Sequence, residues 1–120
     1  MARYRYTAKD QGMLVAWFAR FADKEGITDS ELREAVIRLE TGQADADLGG
    51  GVYKVRIARA GEGKSGGYRV IVFFRSEERT FFHYGFAKSD RGNIDQGELR
   101  GFKERARDFF HIPTIRLMIG

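Results

Sequence analysis

The hydrophobic positions change their spacing once along the chain, from a helical period to a strand period. Between residues 10 and 24 apolar side chains such as Leu14 and Phe18 recur three and four residues apart, which predicts an amphipathic helix. A second apolar stripe predicts a helix over residues 29–41, and the segment Thr28–Glu31 matches a capping box at its start. Two consecutive helices joined by a short break predict a helical hairpin.

Beyond this hairpin the apolar residues alternate with a period of two. The acidic, glycine-rich residues 43–51 are interpreted as a linker turn. Runs rich in Val, Ile, Phe and Tyr follow it and predict three antiparallel strands in a meander. These predicted strands cover residues 52–60, 68–75 and 79–86, with joints at 61–67 and 76–78.

The two ends of the chain complete the predicted fold. A last apolar stripe predicts a helix that starts near Asp95 and ends before Pro113, because the residue preceding proline disfavours the helical conformation. Residues 3–7 alternate in the manner of a short edge strand. The expected class is therefore α+β, with an N-terminal helical hairpin packed on a small antiparallel meander, a C-terminal helix, and residues 1–120 in a single domain.

Composition narrows the classes of function. The chain is 42% hydrophobic and 32% charged and has one proline, which is typical of an ordered globular protein. It has no cysteine, which excludes disulfides and thiolate metal sites, and its two histidines lack a matching carboxylate spacing, so no metal and no cofactor are expected. The N-terminal residues 1–6 lack the apolar core of a signal peptide, and no uninterrupted apolar stretch approaches the roughly 18 residues that a membrane helix needs. We expect a cytoplasmic protein with no membrane or small-molecule role.

The positive charge is concentrated in the middle of the chain. The net charge is +4, and residues 52–91 contain nine basic and four acidic side chains. Lys54 and Arg56 lie two residues apart and should project from one face of a strand, while Arg69 lies near the start of the next strand. Clustered cations favour a phosphate-bearing partner. The alternative is a solvated sheet face whose cations pair with carboxylates from the last helix.

Other candidates surround this cluster. Lys88 and Arg91 lie on the irregular segment after the last strand, where the alternative is a polar turn with Asp95 capping the helix. His83 alternates with aromatic residues, a pattern more typical of a packed histidine than of a catalytic base. Tyr68 is a candidate for base stacking, although strand tyrosines mostly belong to the core.

Lys64 lies in a glycine-rich segment that superficially resembles a nucleotide-binding P-loop. In that motif glycine opens the loop and a helix follows it. Here Ala58 stands at the first glycine position and a strand pattern follows Ser65, so the segment is interpreted as a hairpin loop with an exposed Lys64.

Three segments of the chain resemble the RelE/HigB-like toxins of type II toxin–antitoxin systems, which belong to the RelE/ParE superfamily. The similar segments are residues 51–56, 63–72 and 84–94, followed by Glu98-Leu99 on a helix, within residues 30–110 overall. The resemblance implies two helices packed on a small antiparallel sheet, ribosome-dependent mRNA cleavage that inhibits translation, and a neutralising antitoxin with an acidic or helix-turn-helix character.

The resemblance implies basic site residues at Lys54, Arg56, Arg69, Lys88 and Arg91, and we predict their roles from their chemistry. Attack by the RNA 2′-hydroxyl on the adjacent phosphate would need no metal. Arg56 and Arg69 would stabilise the phosphoryl oxygens, and Lys54 or Lys88 would transfer protons. The predicted RNA contacts are Lys64, Tyr68, His83 and Arg91. No counterpart is found for the C-terminal tyrosine or histidine that some relatives use as acid or base.

Two other functions are compatible with the sequence. The ParE branch shares the fold and inhibits gyrase, and a non-catalytic RNA- or protein-binding module would use the same scaffold. The expected partners are the antitoxin, mRNA and the ribosome. Residues 113–120 are apolar enough to add a strand, dock on the core or contact a partner.

Overall fold

A computed structural model describes residues 4–6, 13–59, 63–75 and 80–111, with side chains described for 14–59, 66–75 and 80–111. These residues form three helices and a six-stranded sheet. The helices are α1 (Ala16–Glu25), α2 (Asp29–Glu40) and α3 (Gln96–His111). The strands are β1 (Tyr4–Tyr6), β2 (Met13–Val15), β3 (Ala46–Gly49), β4 (Val52–Arg59), β5 (Gly63–Phe74) and β6 (Thr80–Ala87). The predicted α+β class is confirmed.

The sheet has the order β1-β2-β6-β5-β4-β3. Strands β4, β5 and β6 form the predicted antiparallel meander, and β1 is the predicted edge strand. Strand β2 joins the sheet by pairing in parallel with β6. The N-terminal segment therefore extends the meander on its β6 side.

The predicted helix over residues 10–24 is wrong at its start. Residues 13–15 form β2, and the helix begins only at Ala16. Leu14 is fully buried and lies opposite Phe82 in the parallel pair, so backbone pairing with β6 overrides the helical spacing of the apolar residues. Residues 10–12 lie outside the described part of the chain.

The glycine-rich segment is more than a linker. Residues 46–49 form β3 and pair with β4, which the sequence interpretation missed. Gly49, Gly50 and Gly51 have φ values of 90°, 63° and 82°, and this left-handed conformation, which glycine adopts without a steric penalty, reverses the chain into β4.

The β4–β5 joint also differs from its prediction, because β5 begins at Gly63 instead of residue 68. The predicted joint at 76–78 and the apolar tail at 113–120 lie outside the described residues.

Local hydrogen bonds explain where two helices begin. The Thr28 hydroxyl accepts the Glu31 amide at 3.2 Å while the Thr28 amide donates to Glu31 Oε1 at 2.9 Å, which confirms the capping box of α2. Asp95 and Glu98 form the same reciprocal pair ahead of α3, with distances of 2.7 and 3.0 Å. The predicted cap by Asp95 is thus confirmed.

Helices cover both faces of the sheet. Helices α1 and α2 pack on one face through Phe18, Leu32 and Val36. Helix α3 packs on the other face through Phe102, Ala106 and Phe110, against a set of strand residues (Val52, Ile71, Phe73 and Phe81). Helix α3 covers part of this second face, so charged side chains occupy only the part that α3 leaves uncovered. None of the helices in the described ranges is long and apolar enough to cross a membrane.

Candidate nucleic-acid interface

Arg56 and Arg69 lie directly opposite each other on β4 and β5. Lys54 lies two residues before Arg56 on the same strand and opposite Ile71, so its side chain belongs to the same face. The convergence predicted for these three cations is therefore present. Arg56 is exposed, Lys54 is half-buried, and only 4% of the surface of Arg69 is accessible.

Asp45, just before β3, is the acidic residue that holds Arg56. Its Oδ2 accepts the Arg56 backbone amide at 2.6 Å, and its Oδ1 lies 3.8 Å from Arg56 Nε. The same carboxylate lies 3.8 Å from Arg38 Nη1, and Arg38 Nη2 donates to the Arg56 carbonyl at 2.8 Å. The carboxylate expected beside Arg56 thus comes from the segment before β3 and not from the last helix.

The electrostatic environment lowers the pKa of Arg69 from its ordinary value. The main cause is burial of the guanidinium, and the positive charge of Arg56 lowers the pKa further, while Asp45 partly offsets both effects. Two cations at directly opposed strand positions repel each other, and Asp45 offsets part of this repulsion. An anion bound between them would relieve this repulsion.

Two lysines flank the arginine pair. Lys54 Nζ donates to Asn93 Oδ1 at 3.4 Å, which ties β4 to the segment before α3. Lys88 follows β6 directly, and its backbone amide donates to the Gly67 carbonyl at 2.9 Å. The Lys88 side chain is exposed. Lys64 lies within β5, and its side chain is outside the described residues.

Arg91 forms hydrogen bonds with neighbouring residues of the same chain. Its Nη1 donates to Glu98 Oε2 at 3.0 Å and to the Tyr84 hydroxyl at 3.4 Å, and its Nη2 donates to the Asn93 carbonyl at 2.8 Å. The guanidinium also lies 5.2 Å from the centre of the Phe86 ring. The hydrogen bonds from Arg91 are the main reason that the pKa of Glu98 is lowered to about 2, and they raise the pKa of Arg91. Arg91 therefore clamps its segment to α3.

The structure places Tyr68 on the opposite face of the sheet from Lys54, Arg56 and Arg69. Tyr68 is buried on the α1–α2 face, and its hydroxyl donates to Glu25 Oε1 at 3.0 Å. Since neighbouring residues of a strand point to opposite faces, Tyr68 and Arg69 lie on different sides of the sheet.

His83 lies at an irregularity in the β5–β6 ladder. The register shifts between Ile71 and Val72, which leaves His83 as the extra residue of a β-bulge. Its ring stacks on Phe73 with centroids 4.6 Å apart and contacts Phe102 and Phe109. Burial, reinforced by the nearby positive charge of Arg105, lowers the pKa of His83 to about 4. The imidazole is therefore neutral at pH 7.

A comparison with known protein families identifies the family of this chain. A family model described as the RelE toxin of the RelE/RelB toxin–antitoxin system matches residues 13–118. The chain belongs to the RelE toxin family. It is thus a toxin of a toxin–antitoxin system, and membership of the RelE family implies an antitoxin partner of the RelB kind. The resemblance inferred from the sequence is confirmed.

Sequence reasoning missed several residues at the site of this RelE-family toxin. Asp45 was assigned to a linker, although its place in an acidic stretch just ahead of the basic strand was a signal. Asn93 was visible only as part of a polar turn. Trp17 has the helical spacing of the apolar residues in this first segment, yet 43% of its surface is exposed beside Tyr84. Among the described residues, no group of three or more His, Asp or Glu side chains is arranged to hold a metal ion.

Proposed function

We propose that this toxin is a ribosome-dependent mRNA endoribonuclease that cleaves by metal-independent attack of the RNA 2′-hydroxyl. The observation that carries the proposal is the directly opposed Arg56–Arg69 pair, with Lys54 on the same face of the sheet. Asp45 offsets only part of the repulsion between the two arginines, and two guanidinium groups on one face suit a phosphate bound beside them. Family membership supports the proposal because it makes the chain a toxin of a toxin–antitoxin system.

The two guanidinium groups suit the transition state of this reaction. When the 2′-oxygen bonds to phosphorus, negative charge develops on the two non-bridging oxygens, and a planar guanidinium can donate two parallel hydrogen bonds to such oxygens. Asp45 fixes the strand position of Arg56, and β5 fixes that of Arg69, so both donors are positioned before the substrate arrives. Donors held in this way need little reorganisation during the reaction.

Two proton transfers complete the chemistry. The 2′-hydroxyl loses its proton as the oxygen–phosphorus bond forms, and the 5′-oxygen gains a proton as its bond to phosphorus breaks. The products are a 2′,3′-cyclic phosphate and a 5′-hydroxyl. We assign these transfers to Lys54 and Lys88, the two lysines that flank the arginine pair. The dependence of the cleavage rate on pH in single-lysine variants would identify which of them acts as the base.

The position and burial of each side chain decide which residues we propose as RNA contacts. Lys64 remains a proposed phosphate contact on β5. Arg91 is proposed to keep the segment carrying Asn93 in place, through its bonds to Glu98 and to the Asn93 carbonyl. Tyr68 is left out of the proposed surface because it is buried on the opposite face. His83 is proposed to contact RNA only through the groove described in the next subsection.

The antitoxin is proposed to carry acidic groups, or a helix-turn-helix domain with an acidic extension, onto this surface. Such placement would block substrate by charge and by shape.

The test is an Arg69→Gln variant compared with Arg20→Gln, which removes the same charge from an exposed position on α1. Loss of one group that stabilises the transition state is expected to slow mRNA cleavage on programmed ribosomes by about 10²- to 10³-fold. Arg69→Gln should therefore abolish growth arrest in cells, while Arg20→Gln should retain it. Circular dichroism and thermal unfolding check that both variants fold.

Three outcomes would overturn the assignment. Undiminished growth arrest by Arg69→Gln at equal expression would remove Arg69 from the mechanism. Purified protein that blocks gyrase supercoiling and leaves translating mRNA uncut would select a gyrase inhibitor. Salt-sensitive RNA binding with no cleavage product on ribosomes would select a non-catalytic binding module.

A further inference from the structure

An aromatic groove lies between the start of α1 and the middle of α3. Its volume is about 320 Å³, which is at the lower end of the range for small-molecule sites. Trp17 stacks on Tyr84 at one side, with centroids 4.8 Å apart and planes inclined by 26°. The complete lining consists of Val15, Trp17, His83, Tyr84, Glu98, Phe102 and Arg105.

Trp17 is unusually accessible for the largest apolar side chain of the protein. It is the single tryptophan of the chain and 43% of its surface is exposed, although Phe21 and Tyr84 both stack with it. Leaving aromatic surface in water costs free energy that burial would recover. The proposed cleavage reaction assigns no role to Trp17. Its exposed ring is therefore a candidate contact for a ligand.

The groove lies within one nucleotide step or two of the arginine pair. Lys54, Ile71 and Tyr84 occupy directly opposed positions on β4, β5 and β6, which places Tyr84 about 10 Å from Lys54 at a strand spacing of ~4.8 Å. The residue opposite Arg69 on β6 is Phe86, two positions from Tyr84 and hence about 7 Å along the strand. An RNA strand with a phosphate at the arginine pair can therefore reach Trp17 with an adjacent base.

We propose that this groove is a stacking subsite for a nucleobase next to the cleaved phosphate, with the base packed against the exposed part of Trp17. The inference rests on the proposed ribonuclease function and names a binding determinant that function leaves open. Aromatic rings accept any base because every base has a flat π face. Arg105, which also lines the groove, offers donors for carbonyl or ring nitrogen atoms of the base.

Charge favours a nucleobase over the apolar side chain of a protein partner as the occupant. The groove lies on the same face of the sheet as Lys54 and the arginine pair, and a nucleotide is the ligand that combines a flat aromatic ring with an anion. The neutral state of His83 fits this role, because an uncharged imidazole adds apolar surface to the groove at pH 7.

The experiment uses Trp17 itself as the reporter. A seven-nucleotide RNA with 2′-O-methyl groups, which cannot be cleaved, is titrated at low salt, and the same RNA with abasic nucleotides serves as the comparison. The intact RNA should quench the Trp17 emission and the abasic RNA should not. By fluorescence anisotropy of labelled RNA, Trp17→Ala should weaken binding ~5- to 150-fold, the range expected for loss of one stacking contact.

Two further variants separate stacking from general loss of surface. Trp17→Phe keeps an aromatic ring and should recover most of the affinity. Ile37→Ala changes another large exposed hydrophobic residue, 49% exposed on α2, and should bind RNA as the unchanged protein does.

The outcomes distinguish this inference from the proposed function. RNA that binds with unchanged Trp17 emission and equal affinity for Trp17→Ala would overturn the stacking subsite and leave the arginine site intact. Quenching that persists in Arg69→Gln without loss of affinity would support the groove and count against the proposed phosphate site. An emission change produced only by an antitoxin of the RelB kind would assign the groove to a protein partner and overturn the inference.

Discussion

Protonation of His83 makes the free energy of unfolding of this toxin depend on pH between about 4 and 6.5. Its imidazole is packed among Phe73, Phe102 and Phe109, and Nδ1 is buried with no hydrogen-bond partner among the described residues. Burial lowers its pKa from the ordinary value of 6.5 to about 4. Between these two values the unfolded state binds a proton that the folded state does not. Stability is therefore fully present above pH 6.5 and decreases as the pH falls toward 4.

The size of the effect follows from the same two pKa values. A difference of this size corresponds to about 3 kcal/mol when the whole window is crossed, and to about 2 kcal/mol between neutral pH and pH 5. The Glu98 carboxyl does not interfere at pH 5. Its pKa is lowered to about 2, so its contribution is complete above the ordinary value of 4.5 and is lost only as the pH falls below that value.

The assay compares the free energy of unfolding in urea at pH 7.5 and pH 5.0 for the unchanged protein and for His83→Phe. A phenylalanine ring suits the aromatic surroundings and cannot be protonated, so the variant should lose about 2 kcal/mol less than the unchanged protein on acidification. His111→Gln, at the exposed end of α3, is the control for removal of an imidazole. Equal losses on acidification in the unchanged protein and His83→Phe would refute the argument.

Two further substitutions test the fold that positions the site. A Cβ atom at Gly67 would lie 2.2 Å from the Ile57 carbonyl oxygen, so Gly67→Ala should lower the free energy of unfolding by about 3 kcal/mol or more, whereas Gly92→Ala, with open space around it, is the matched control. A Gly67→Ala protein with an unchanged urea midpoint would contradict the β4–β5 register. Thr28→Ala should lower the free energy of unfolding by about 1 kcal/mol through loss of the capping box, and Ser30→Ala in the same turn should have little effect in the same urea titrations.

Features encoded by neighbouring residues were predictable from the sequence. The start of α2 follows from Thr28 and Glu31 because a capping box needs only one turn of chain. The Arg56–Arg69 pair followed from strand alternation and a short connection, which together bring consecutive strands into register. Both predictions rest on short-range geometry.

Features that depend on distant segments were not predictable. Residues 13–15 have the apolar spacing of a helix, but their pairing with Phe81 and Phe82 on one side and with β1 on the other makes them a strand. The burial of Tyr68 and the exposure of Trp17 both depend on where α1 crosses the sheet. A single sequence gives the period of a segment but not the neighbour that it meets.

The contrast in strand length has a consequence for how the toxin behaves when crowded. Of the six strands in the described residues, the outermost are β1 with three residues and β3 with four, whereas β5 between them has twelve. An outer strand of that size offers few free amide and carbonyl groups to another molecule, and the glycines after β3 turn the chain away. Fibre growth by strand addition is therefore disfavoured, although 42% of the residues are hydrophobic.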